Sequence, residues 1–208
     1  GDDDDIREAA LRATARLAEL ARITAGASVL ETACGVGGTA RYLEAMRGAS
    51  VVATNIARSQ LAIAEEWTRK AAGAERIRFE FADYHALPYA AASFDVYWCQ
   101  DSLLFSTDRP RALAEAARVV RPGGTIAISD LVVVGTPAPD AAALLTAISA
   151  PGFWSAEDYR EGLATAGFEA ILVEDWSRHA LPSFDRLAAD IAAKRARLAA
   201  IANEADVA

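Results

Sequence analysis

The sequence predicts an α/β fold, a doubly wound and mostly parallel sheet with helices on both faces. Three observations predict it. Short apolar runs alternate with longer helical patterns through residues 1–130, a glycine-rich turn follows the first run, and Pro122-Gly123-Gly124 separates a helix from the run after it. Strands alternating with helices pair in parallel through right-handed crossovers. Ligands of such sheets gather at the carboxyl ends of the strands.

Each element has its own signal. Asp2 to Asp5 precede a helical pattern reaching about Arg22, and acidic residues suit a helix N-terminus. Ser28-Val29-Leu30 is the first strand, and Thr39 to Met46 the helix after the turn. Ser50 to Thr54 is a second strand, Ala57 to Ala72 a second helix, and Ile77 to Phe81 a third strand that alternates. Phe94 to Trp98 is the fourth strand, Asp108 to Val120 a helix stopped by Pro122-Gly123-Gly124, and Thr125 to Ser129 the fifth strand. Beyond Asp130 a stretch with Pro137 and Pro139 leads to Ser155, the N-cap of a helix through Thr165 that Gly167 ends. Phe168 to Trp176 is predicted as a sixth strand and Phe184 to Ala202 as an amphipathic helix.

Composition narrows the partners. A net charge of −8 opposes a nucleic-acid partner, whose phosphates need a basic face. The run Leu131 to Val134 is far too short to span a bilayer, so no membrane partner is expected. Cys34 and Cys99 stand far apart and outside any CxxC pair, which points to a reducing cytoplasm. Two cysteines and two histidines are too few for a dedicated zinc cage, so no metal is expected.

The turn Glu31-Thr32-Ala33-Cys34-Gly35-Val36-Gly37-Gly38 lets the backbone approach a ligand closely. Gly35-x-Gly37-x-x-Ala40 also satisfies a dinucleotide fingerprint, so a nicotinamide cofactor stays open at this point. Asn55 closes the second strand, where a ribose hydroxyl would lie and where Asp or Glu is usual. Asp83 stands two positions past the third strand, before Leu87-Pro88, where it can accept a bond from an adenine amino group.

Four segments in order carry a family resemblance. They are Val29-Leu30-Glu31-x-x-Cys34-Gly35-x-Gly37-Gly38, Asp83 with Leu87-Pro88, Phe94-Asp95-Val96, and Val120-Arg121-Pro122-Gly123-Gly124. Together they resemble class I S-adenosylmethionine-dependent methyltransferases, from about Asp5 to Ser177. Trp98 to Leu104 with Asp108-Arg109, then Ser149 to Trp154, look most like the sarcosine/dimethylglycine N-methyltransferases. The resemblance implies a Rossmann-like fold and a single methyltransferase domain over residues 1–208, with a cofactor-binding half, 1–130, and an acceptor-side half, 131–208. It implies S-adenosylmethionine as cofactor and a small molecule as acceptor, a small amine such as sarcosine or dimethylglycine first and a carbon or oxygen nucleophile second. Gly35 and Gly37 would lie against the methionine part, with Glu31 and Ala33 in the same turn. Asn55 would face the ribose, Asp83 and Tyr84 the adenine, and Gln100 the methionine end beside the acceptor.

The departures are specific. Glu31 replaces the family's usual aspartate, Ala33 its first glycine, and Phe105 a frequent histidine. The resembling enzymes carry more chain before the first helix and end on an antiparallel strand; no such strand is evident after Ala202. The expectation is therefore either a fragment or a differently closed sheet edge.

The chemistry asks mainly for alignment of acceptor and sulfonium methyl. No catalytic base is evident; Gln100 and His179 are the candidates, with His85 the weaker histidine. Trp98, Phe105, Trp154 and Trp176 lie at or near strand ends, where aromatic faces would favour a developing ammonium. A nicotinamide oxidoreductase and a catalytically silent adenosylmethionine-binding module are the alternatives from other classes.

Overall fold

The computed structural model describes residues 6–136 and 150–180, together with 182, 185, 186, 189 and 192–195. The chain divides into a body of residues 14–172 and a second unit of residues 1–13 and 173–208. Five strands build the body: β1 Ser28–Thr32, β2 Ser50–Asn55, β3 Ile77–Phe81, β4 Phe94–Gln100 and β5 Val120–Ser129. They form one parallel sheet in the order β3-β2-β1-β4-β5. The order reverses between β1 and β4, and a crevice opens at such a reversal beyond the strands' carboxyl ends.

The helices are α1 Ile6–Leu20, α2 Gly38–Arg47, α3 Arg58–Thr68, α4 Arg109–Val119 and α5 Ala156–Thr165. β1, β2 and β4 are buried almost continuously, because helices cover both faces of the central strands. β3 and β5 sit at the edges and are partly exposed. The core is filled by Leu30, Tyr97, Leu103, Leu113 and Val119. Caps fix the helices near the sheet ends. Asp108 accepts from the Arg111 amide at 3.1 Å to start α4, and Ser155 with Asp158 forms a capping box on α5.

Three elements differ most from expectation. α3 ends at Thr68 rather than Ala72; Thr68 is buried and its hydroxyl receives Arg41, which fixes the helix end there. β5 begins at Val120, paired with Phe94, and resumes register at Thr125 opposite Val96, so Pro122-Gly123-Gly124 lies in an irregular section of the strand. The expected sixth strand, Phe168 to Trp176, is not a strand. Phe168 and Ile171 are the residues that pack on the core, a spacing of three rather than two. A strand also needs a neighbour to satisfy its backbone, and alternating sequence alone cannot supply one.

Residues 137–149, including Pro137, Pro139 and Ser149, lie outside the described residues, as do Asp2 to Asp5. So do Phe184 and Ala202 at the ends of the last expected helix, within which Asp185, Arg186 and residues 192–195 are helical.

Candidate active site

The chain leaves β1 through a tight left-handed turn, with φ of 55° at Ala33, 53° at Gly35 and 74° at Gly37. A left-handed conformation costs an L-residue about 1–2 kcal/mol, so Ala33 is strained where the family's glycine would be at ease. A Cβ on Gly37 would lie 2.7 Å from the Phe79 ring, whereas one on Gly35 would meet nothing within 4 Å. The backbone at Gly35 is therefore approachable. Arg41 fastens the turn by donating to the Val36 carbonyl at 2.9 Å and the Thr68 hydroxyl at 3.1 Å. Burial, reinforced by Glu31, pushes the Cys34 thiol up to about 12, which keeps it protonated and unreactive.

Glu31 is 3% exposed. Burial pushes its carboxyl up to about 8, against the attraction of Arg41 and a hydrogen bond from the Ala40 amide. Its Oε2 has no hydrogen-bond partner among the described residues, and neither has Nε1 of fully buried Trp98. Glu31 and Trp98 are register partners on β1 and β4, so both side chains leave the same face of the sheet. An unpaired acceptor and an unpaired donor thus stand on one face at the topological switch.

The other residues expected around a cofactor fall at the same end of the sheet. Asn55 is buried, donates to Gln60 at 2.8 Å and Gly35 O at 3.4 Å, and accepts from the Ala57 amide at 3.0 Å. It knits β2 to the glycine turn with both polar atoms engaged. Asp83 is exposed, with Oδ1 bound by His85; Tyr84 stands edge-on to the His85 ring, and burial pushes its hydroxyl up to about 12. Gln100 closes β4, and its Oε1 accepts from Thr39 at 3.4 Å and Thr14 at 3.2 Å. It joins α1, α2 and β4, a positioning role that sequence spacing does not reveal.

Trp98, Phe105 and Trp154, the three expected aromatic residues of the body, have different surroundings. Trp98 is core. Phe105 is 44% exposed on a 3-10 turn, Leu103–Phe105. Trp154 packs edge-on to Tyr159 at 5.1 Å, with the Arg109 guanidinium over its ring, between α4 and α5. Trp176 and His179 belong to the second unit, where Trp176 donates to Glu174 and His179 accepts from Arg178.

Two acids were missed. Asp101 and Asp130 follow β4 and β5 directly, the same strand-end rule that selects Asn55 and Asp83. Asp101 accepts from Ser129 Oγ at 2.7 Å; Asp130 accepts from the Tyr159 hydroxyl at 2.6 Å and the Leu131 amide at 3.0 Å. Surrounding protein raises both carboxyls, although Asp101 keeps an exposed edge, and the charge of Asp101 raises Asp130 further. Two surface hollows, about 550 and 350 Å³, lie against α4; the first is also lined by His85 to Leu87 in the loop after β3, the second by Trp154 and α5. Among the described residues no cluster suits a metal ion, and no helix is long and apolar enough to cross a membrane.

Comparison with known proteins bears on the family and the fold. Residues 30–128 match the family model described as a methyltransferase domain. Methyltransferase GfsG of Streptomyces halstedii is 36% identical over 88% of this chain and 70% of its own length. The 27-O-demethylrifamycin SV methyltransferase of Amycolatopsis mediterranei is 35% identical over 88% of this chain and 69% of its own. A crystal structure of a candidate sarcosine dimethylglycine methyltransferase from Galdieria sulphuraria superposes with a TM-score of 0.86 at 29% identity, covering 94% of this chain and 76% of that one.

Proposed function

The chain belongs to the methyltransferase-domain family and is an S-adenosylmethionine-dependent methyltransferase of small molecules; we propose that its acceptor is a small amine, with sarcosine and dimethylglycine the leading candidates. When bound, S-adenosylmethionine supplies an electrophilic methyl group on a sulfonium. The residues present fit it. The orphaned Oε2 of Glu31 suits a cationic amino end, and the open backbone at Gly35 admits a close neighbour. Asp83 and Tyr84 would meet the base, and Asn55 would hold the turn beside the ribose rather than spend its amide on it.

The observation that carries the acceptor reading is the pair Asp101 and Asp130. Two carboxyls side by side attract an ammonium, and their raised proton affinity suits them to take the proton that it must shed. Tyr159 and Ser129 orient them. The structural likeness to the Galdieria sulphuraria protein supports the same reading. A hydroxyl acceptor is the second reading, favoured by the relative that methylates 27-O-demethylrifamycin SV. There the same carboxyls would act as base.

An acceptor panel with methyl-labelled donor, read by mass spectrometry, decides between them. Labelled product from sarcosine or dimethylglycine is the expected result. Label on alcohols or phenols but on no amine overturns the amine reading.

A further inference from the structure

The loop after β3 and the loop after β4 are joined by a chain of side chains that the transfer chemistry does not itself require. Asp83 Oδ1 accepts from the His85 amide at 2.8 Å and lies 2.8 Å from His85 Nδ1. Across the ring, His85 Nε2 lies 2.8 Å from Ser106 Oγ. Ser106 is 1% exposed and follows the Leu103–Phe105 turn, returning its amide to the Leu103 carbonyl at 2.9 Å. Its Oγ also accepts from the Asp108 amide at 3.2 Å and meets the Tyr84 side chain.

One arrangement of protons satisfies every partner. The Ser106 hydroxyl donates to Nε2 and accepts from the Asp108 amide, which leaves Nδ1–H to donate to Asp83. The order carboxylate, imidazole, hydroxyl is that of a hydrolytic triad, but buried Ser106 offers no face to a substrate. The turn itself is held firmly, since Arg109 donates to the carbonyls of Leu103 at 2.9 Å and Leu104 at 2.7 Å. A pull on Ser106 therefore reaches Phe105 and the neighbourhood of Asp101 together.

We propose that Ser106 is a positioning residue that, through His85 and Tyr84, couples the loop facing the cofactor's base to the turn on the acceptor side, so that filling the first orders the second. This rests on the reading of Asp83 and Tyr84 as the base-facing residues. Hydrogen exchange read by mass spectrometry tests it, with S-adenosylhomocysteine as the probe and calorimetry run in parallel. In the wild-type protein the probe should slow exchange across residues 81–88 and across 102–108. In Ser106→Ala the slowing across 81–88 remains, while the ligand-dependent slowing across 102–108 falls about five-fold or more, the lower end of ordinary site-to-site coupling. In His85→Asn, which keeps a donor near Asp83 but no longer reaches Ser106, the loss is intermediate because Tyr84 still meets Ser106.

A merely structural role would speed exchange across 102–108 equally with and without the probe, so the ratio of the two is the readout. His85→Asn alters a partly exposed side chain and serves if Ser106→Ala does not fold. Wild-type slowing across 102–108 retained in either variant overturns the proposal, as does wild-type protein slowed across 81–88 alone. Absence of any binding heat overturns the donor reading itself, and the coupling falls with it.

Discussion

Glu31 at the end of β1 and Asp130 just past β5 are both acids that burial holds above their ordinary proton affinity. Their surroundings differ. Asp130 is met by the Tyr159 hydroxyl and the Leu131 amide, whereas Glu31 keeps one oxygen with no partner among the described residues. A buried polar atom left unpaired costs about 1–3 kcal/mol, and the protein carries that cost at Glu31 alone of the two. At Asp130 the chain supplies the hydrogen bonds itself. At Glu31 it leaves an acceptor open to another molecule.

Four substitutions break or sharpen that contrast. The largest effect is expected from Trp154→Ala, which removes the ring supporting Tyr159 and should cost about 3–5 kcal/mol of stability in denaturant melts. Calorimetry on the folded fraction should find S-adenosylhomocysteine affinity nearly intact; a parallel loss of affinity would erase the division between the two sides.

Glu31→Gln comes next. Replacing a carboxyl that can give up its proton to face the ligand's ammonium should weaken S-adenosylhomocysteine binding by about 1.5–3 kcal/mol by calorimetry. The same variant reports on pH. The native state keeps the Glu31 proton where the unfolded chain has released it, so ligand-free stability falls as pH rises from the ordinary carboxyl value of 4.5 to about 8, then levels. Thermal melts across that window should slope downward for the wild-type protein and flatten for Glu31→Gln.

Tyr159→Phe leaves Asp130 without its hydroxyl donor and should cost about 1–3 kcal/mol in the same melts. That bond lowers the proton affinity of Asp130, so its loss should carry the acidic limb of the methyl-transfer profile to higher pH. An unmoved limb would take Asp130 out of the reaction. The smallest effect belongs to Ala33→Gly, which relieves a left-handed φ of 55° and should stabilise the fold by about 1 kcal/mol. No gain there would mean that the turn shifts enough to spare Ala33.

The sheet was legible because its information is local. Val29-Leu30, Val51-Val52 and Val96 to Trp98 are apolar runs that only a strand buried on both faces explains, and each is followed by a turn or cap that ends it. Phe168 to Trp176 reads just as apolar and is not a strand, since pairing depends on a neighbour that its own sequence does not encode. The glycine turn was legible for the same local reason, and even the strain at Ala33 follows from the residue that the turn needs.

The candidate site divides along the same line. Sequence by itself determined which residues stand at the carboxyl ends of the strands, because strand length and turn chemistry are set within a few residues. Only the tertiary structure decided what those residues do. Asn55 and Gln100 spend their amides holding the chain together, Trp98 is sealed in the core, and Asp101 with Asp130 form a pair contributed by two different strands. Hydrogen-bond partners and burial are properties of segments brought together across the sheet, such as Glu31 beside Trp98 and Ser106 beside His85, and no local pattern specifies them.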